Sequence, residues 1–319
     1  MESASPRPRP FHFLADARAP VSARDLSEAA RRAEALGYHA LVIPDHLIDQ
    51  LSPAPAMAVI AAATTTLRIS AFVLNNDLRH PAVLAQDLAS LDVLSEGRLD
   101  VAIGAGWNVP EYEQSGIPFD RTAVRQARLI EAIAVLKGLF GDGPFSYSGT
   151  HYTITEMDGQ PKPVQKPYPP FMIGGGGRAT LELAGREAQI VSIAPRITAR
   201  RTDLASITPE GFAEKIAWVR AAAGDRFAEI ELNTYPTIVG PIVTDNPRAA
   251  AEETARELSQ RRGEAVTADQ LLASPQIFIN SIDGYVERFL ELRERFGISS
   301  FMVGELGDLD PVVERLAGS

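Results

Sequence analysis

Three short patterns in this 319-residue chain have the residue types and spacing to do chemistry. The first is Pro44-Asp45-His46, at the end of an apolar run. Imidazole titrates near neutral pH, so His46 is the candidate proton donor or acceptor, with adjacent Asp45 placed to tune it. The plainer reading of His46 is a loop-capping histidine. The second pattern is Phe171-Met172-Ile173, then Gly174, Gly175, Gly176, Gly177 and Arg178, running into a helical stretch from Ala179 to Glu187. Glycines let backbone amides approach a ligand without a Cβ in the way, and a helix N-terminus presents unpaired N–H groups. Together they make an anion site for which phosphate is the expected occupant, with Arg178 as a forked charged donor. A tight turn is the plainer alternative. The third pattern is Gly104-Ala105-Gly106-Trp107-Asn108. Trp107 can wall a planar ring or pack at a rim, and Asn108 can bond the edge of a heterocycle. Val109 stands where a dinucleotide fingerprint has its third glycine, which weakens that reading.

Other chemical residues carry less. His12, His39, His80 and His151 show no ligand spacing with His46, so no metal site is expected. His80, before Pro81, is expected to open a helix. Glu111 and Glu113 read as the start of a solvated loop, and Arg196, Arg200 and Arg201 as solvated loop charges.

The elements that must position these groups alternate along the chain. Strands are expected at Phe11–Asp16, Ala40–Ile43, Arg68–Leu74, Leu99–Ile103, Phe171–Ile173, Ile190–Ala194, Ile230–Val239 and Ser300–Val303. Helices are expected at Ser22–Leu36, Ala56–Thr66, Pro81–Leu94, Arg121–Phe140, Asn246–Arg262 and Ile282–Phe296, the last preceding its strand in an inverted unit. Near-continuous apolar strands suit a parallel sheet buried on both faces, so the fold class is α/β, a single (β/α)8 TIM barrel. A doubly wound sheet is the alternative. Insertions after strands 4, 6 and 7 are expected from the long stretches Gly141–Pro170, Pro195–Pro209 and Gly263–Asn280, the first holding a hairpin over Phe145–Ile154. Residues 1–10 read as a flexible lead-in and 11–319 as one domain. In such a barrel the site lies at the C-terminal strand ends, where all three patterns fall.

Composition narrows the partners. A net charge of −10 without a long basic run argues against nucleic acid, and no apolar run is long enough to span a membrane. With no cysteine there is no disulfide framework or thiol nucleophile, which fits a cytoplasmic protein. The cofactor-shaped set of groups at the strand ends makes a small-molecule substrate the expected partner.

Taken together, Leu78-Arg79-His80-Pro81 through Leu88, Leu91–Leu99, Gly104–Asn108, Pro44-Asp45-His46 and Ile173–Gly177 resemble, in order and spacing, the luciferase-like monooxygenase superfamily. The match is good over residues 11 to 195 and architectural beyond. Within the superfamily the chain most resembles the branch using coenzyme F420; the alternative is the branch using FMN, and a third a barrel that binds flavin without turnover. The resemblance implies a homodimer with the tricyclic ring across the strand ends. Asp45 and His46 match residues near the reactive ring face. Phe72, Val73 and Asn75 match the bulge behind the ring, with a non-prolyl cis peptide near Phe72–Val73. Gly106, Trp107 and Asn108 match strand-four contacts, and Gly174 to Arg178 the amides that take the cofactor phosphate. Trp107 stands where F420-dependent sugar-phosphate dehydrogenases carry a glutamate, so His46 is expected to lack an acid partner.

Overall fold

Eight parallel strands close a ring in the computed structural model, which describes residues 8–18, 22–198, 201–307 and 309–319. Most of the expected lead-in and Arg200 lie outside the described residues. The strands are β1 (His12–Asp16), β2 (Ala40–Ile43), β3 (Arg68–Ala71), β4 (Leu99–Gly104), β5 (Phe171–Gly175), β6 (Ile190–Ile193), β7 (Glu231–Thr234) and β8 (Ile298–Glu305). Neighbours pair in order, and the ring closes where β1 meets β8 with Phe13 opposite Phe301. Alternate residues sort into two cores. Leu14, Ala40, Val42, Ala102, Met172 and Ile190 fill the barrel, while Phe13, Leu41, Ile69, Val101 and Ile173 face the helices.

Each strand leads to a helix: α1 (Ala23–Ala35), α2 (Pro53–Ala63), α3 (Pro81–Leu94), α4 (Thr122–Phe140), α5 (Arg178–Glu187), α6 (Pro209–Ala223), α7 (Ile282–Phe296) and α8 (Asp310–Leu316). Ser22 caps α1 by accepting from Asp25 N, and His80 opens α3 by accepting from Ala82 N. The last unit is not inverted, because α8 follows β8 and completes the eighth repeat. Helix α2 begins at Pro53 and ends at Ala63; the Glu34 carboxylate then takes the amides of Thr65, Thr66 and Leu67, holding them out of the helix. Strand β7 stops at Thr234, just before Tyr235 and Pro236, which has no N–H for a ladder. Strand β3 stops at Ala71 and resumes at Leu74–Asn75 after a break.

Of the three expected insertions, the one after α4 carries the hairpin, Phe145–Ser148 against Thr153–Met157. After β6, Ile197–Thr198 pairs with Arg201–Thr202. After β7 come helices Pro247–Arg262 and Ala268–Ala273. They share a small core of their own, Ala251, Ala255, Leu258, Leu271, Ile277 and Ile279, reached also by Ile207. No described helix is long and apolar enough to cross a membrane.

Candidate active site

The C-terminal ends of β2 to β6 bring the chemical residues to one barrel mouth. His46 follows β2, and its ring meets the Trp107 indole edge-on, centroids 5.6 Å apart and planes at 88°. His46 Nδ1 lies 2.7 Å from Glu111 Oε1, close enough for an ion pair though out of line for a hydrogen bond. Two expectations are corrected here: Glu111 is buried, not solvated, and His46 does have an acid partner. The reason is a helix, Val109–Ser115, where a loop was expected. Asn108 precedes it, and Glu111 is its third residue, turned inward to accept from Asn108 Nδ2. Glu111 Oε2 is buried with no partner, and Glu113, on the same helix, is exposed.

Asp45 is not the group that meets His46. It is buried and gripped by Arg79, with Nη1 to Oδ2 at 2.6 Å and Nη2 to Oδ1 at 3.0 Å. It also accepts from the Asn75 amide at 2.9 Å, which ties the end of β2 to the segment after β3. That segment contains the expected non-prolyl cis peptide, Phe72–Val73. Val73 fills space left by two strand-end glycines: a Cβ on Gly104 would lie 3.0 Å from Val73 Cγ2, and one on Gly174 3.8 Å from Cγ1. The Phe72 ring stands edge-on to Tyr235, centroids 5.4 Å apart. Burial pushes the Tyr235 phenol up to about 12, so it stays a neutral O–H donor at neutral pH.

Gly106 is set by both conformation and crowding. Its φ is +74°, and a Cβ there would overlap Tyr112 Oη and lie 2.5 Å from Asn75 Oδ1. Tyr112 Oη lies 3.0 Å from Asn75 Oδ1 and 3.1 Å from Asp77 Oδ2, so its proton links the helix after β4 to the loop after β3.

The glycine run splits into parts with different causes. Gly174 and Gly175 end β5, and a Cβ on Gly175 would lie 2.6 Å from Thr180 Cγ2. On Gly176 it would overlap the Pro195 carbonyl. Gly177 caps α5 with an ordinary φ of −93° and nothing within 4 Å of an added Cβ, so packing does not require a glycine there. No side chain caps α5, leaving its first-turn amides without a side-chain acceptor. Arg178 is exposed, with Nε 2.7 Å from Glu182 Oε1 along the helix. Arg196 is paired with Asp203 at 2.6 Å, and Arg201 donates to Arg262 O.

Sequence reasoning placed Glu111 in a solvated loop, named Arg79 only within a motif, and gave Tyr112 and Tyr235 no role. Glu111 left a signal, since Asn108 followed three residues later by an acid is a helix-start pattern. Arg79, Tyr112 and Tyr235 left none, because their contacts cross between elements.

Residues 9–317 match the family described as luciferase-like monooxygenase, and the chain belongs to that family. It is similar to the FMNH(2)-dependent dimethylsulfone monooxygenase of Pseudomonas putida, 34% identical over 125 residues, which cover 39% of this chain and 34% of that protein. The F420-dependent glucose-6-phosphate dehydrogenase of Microbacterium testaceum is 31% identical over 165 residues, 49% of this chain and 48% of that protein. The chain thus spans between a third and a half of the length of these two relatives. The structure of the coenzyme F420-dependent tetrahydromethanopterin reductase from Methanopyrus kandleri superposes with a TM-score of 0.77 at 19% identity, covering 97% of this chain and 98% of that one. At that identity the likeness is one of fold.

Proposed function

We propose that the protein is a two-electron oxidoreductase that holds coenzyme F420 across the barrel mouth and acts on a small organic substrate. The observation that carries this reading is the His46–Glu111 pair facing Trp107 beside the Phe72–Val73 wall. The residues present fit a phosphorylated ring cofactor. Val73 and Phe72 form an apolar backing, Trp107 offers an indole at the rim, and the uncapped start of α5 at Gly177 leaves room and free amides for phosphate. When bound, the deazaflavin supplies or accepts a hydride, reducing an activated C=C or C=N bond or oxidising an alcohol. His46 gives or takes the accompanying proton within hydrogen-bond reach of the substrate. Glu111 holds the imidazole in place, and its free Oε2 can carry a proton or accept from a substrate hydroxyl. Asp45 acts one step back, through Arg79 and Asn75, by fixing the segment that backs the ring.

The F420-dependent relative supports this cofactor. The FMNH(2)-dependent relative supports a second reading, a reduced-flavin monooxygenase with the same residues around the ring. Difference spectra of the protein titrated with F420 and with FMN decide between them, followed by a screen of unsaturated, imine and alcohol compounds for turnover of F420. Tight F420 binding with substrate-dependent oxidation or reduction is expected. Binding of FMN alone, with oxygen consumed when it is reduced, would overturn the F420 reading.

The same proposal includes a homodimer. Pro55, Ala58, Val59 and Ala62 on α2 and Val83, Val93 and Leu94 on α3 look outward or lie half-buried, and all are apolar. Leu94 and Val83 are 67% and 58% exposed, more than a lone barrel needs to leave in water.

A further inference from the structure

Lys215 has no part in the site just described, yet it is a charged side chain with only 1% exposure. It lies on α6, and its ammonium donates to the Ala194 carbonyl at 2.6 Å and to Gln276 Oε1 at 3.0 Å. Both acceptors are neutral, and no described carboxylate is paired with it. The charged groups facing it are Arg196 and Asp203, from the insertion after β6, and these are paired with each other at 2.6 Å. From its own helix comes only the Phe212 ring, 5.2 Å away. The three ionisable groups together carry one net positive charge.

A buried ammonium without an anion is strongly unfavourable and tends to shed its proton. Burial, helped by the nearby Arg196 guanidinium, brings Lys215 down to about 7. Structural needs alone would be met by a neutral donor to these two acceptors and do not call for a charge. The place of the charge suggests its use. Ala194 follows β6, and its amide donates to the Gly175 carbonyl at 2.9 Å while its own carbonyl takes the lysine. The next residue, Pro195, presses its carbonyl against Gly176. The ammonium therefore stands one peptide unit behind the glycine run. Gln276 keeps it there, since its Nε2 also donates to the Ile193 carbonyl at 2.8 Å.

We infer that Lys215 is the buried positive charge of the phosphate subsite, with its counter-ion the phosphoryl group of a ligand seated at Gly176–Gly177. The inference rests on the anion site of the proposed function. Lys215 does not touch the ligand; it is a positioning residue whose field acts through the Ala194–Pro195 peptide. Its ligand class is a phosphate ester, and its effect must vanish for the same ring without phosphate.

Two ligand pairs test this: FMN against riboflavin, and F420 against its phosphate-free riboside. Lys215→Gln keeps a hydrogen-bonding side chain but removes the charge. It should weaken the phosphorylated member at least about tenfold, equivalent to about 1.4 kcal/mol, and leave the phosphate-free member unchanged. Equal losses for both members would mean a structural role and overturn the inference. The unaltered protein offers a second measurement should the variant not fold. Phosphomonoesters are fully ionised above about pH 7, so affinity for FMN relative to riboflavin should fall from there toward about pH 9 as Lys215 loses its proton. A flat ratio over that range would also overturn it. If neither ring binds the unaltered protein, the proposed function fails alone, and the lysine is judged on inorganic pyrophosphate. A pyrophosphate-dependent rise in melting temperature that Lys215→Gln or a pH of about 9 abolishes supports it, and no such rise overturns it.

Discussion

At the residue scale, His46 depends on the group that holds its ring, and Glu111 does so from a buried position. His46→Ala should lower kcat by roughly 10²–10⁴-fold with cofactor affinity largely kept. Steady-state kinetics beside a cofactor titration check this, and turnover near the unaltered rate would pass the proton to Glu111 or a water. Glycines in the run should part company under substitution. Gly176→Val drives a side chain into the Pro195 backbone, so it should damage folding whatever the ligand. Gly177→Val meets open space and an ordinary φ, so the melting temperature should hold while phosphorylated cofactor binds at least about tenfold more weakly. A Gly177→Val protein that binds as tightly as before would remove the phosphate from this place.

At the scale of elements, the helix Val109–Ser115 does most to assemble the mouth. It delivers Glu111 to His46 and Tyr112 to Asn75, and the second contact depends on the close approach at Gly106. Gly106→Ala combines a strained φ with overlap of Tyr112 Oη. It should cost about 1–3 kcal/mol from overpacking alone, read as a lower denaturant midpoint. An unchanged midpoint would show that Tyr112 gives way freely. Strands β2 and β4 and helices α3 and α7 were readable to within a residue, because apolar period and end signals agree there. Helix α6 was readable too, with Thr208 as cap, Pro209 behind it and Phe212, Ile216 and Val219 on one face, yet escaped notice after the insertion Pro195–Pro209. The true length of β7 was hidden, since Ile238 and Val239 continue the apolar pattern but pack on the insertion core instead.

At the scale of the whole molecule, the far end of the barrel from the mouth carries its own polar group. His12 Nδ1 is 2.8 Å from Glu231 Oε2, and its ring stacks on His39 at 3.7 Å. Burial, with the nearby His12, depresses His39 from 6.5 to about 3. The folded chain then binds this proton less readily than the unfolded one. Its contribution to stability is full above pH 6.5 and drains as pH falls toward about 3. Denaturant midpoints across that window should fall, and His39→Gln should flatten the fall; parallel curves would exclude His39 as the cause. The outward face of α2 and α3 makes a separate prediction. Light scattering should give a dimer mass that Leu94→Arg reduces, and a monomer for the unaltered chain would dismiss the homodimer.

The sequence by itself determined the repeating strand–helix order, the barrel class and the strand ends on which chemistry gathers. Those follow from local period, caps and glycines, each acting within a few residues of chain. Tertiary structure alone decided who meets whom at the mouth. Asp45, next to His46 in sequence, is taken by Arg79, 34 residues away, while Glu111 comes from the helix after β4 to face the imidazole. Buried charges seek partners through space, and their choice is made by the register of strands and the path of loops. Four glycines look alike in a row, yet Thr180 and the Pro195 backbone distinguish those that packing requires from the one left open. Burial of Lys215 was settled the same way: on its helix it lies beside the apolar Phe212, Ile216 and Val219, but only the fold brings Ala194 and Gln276 over its ammonium.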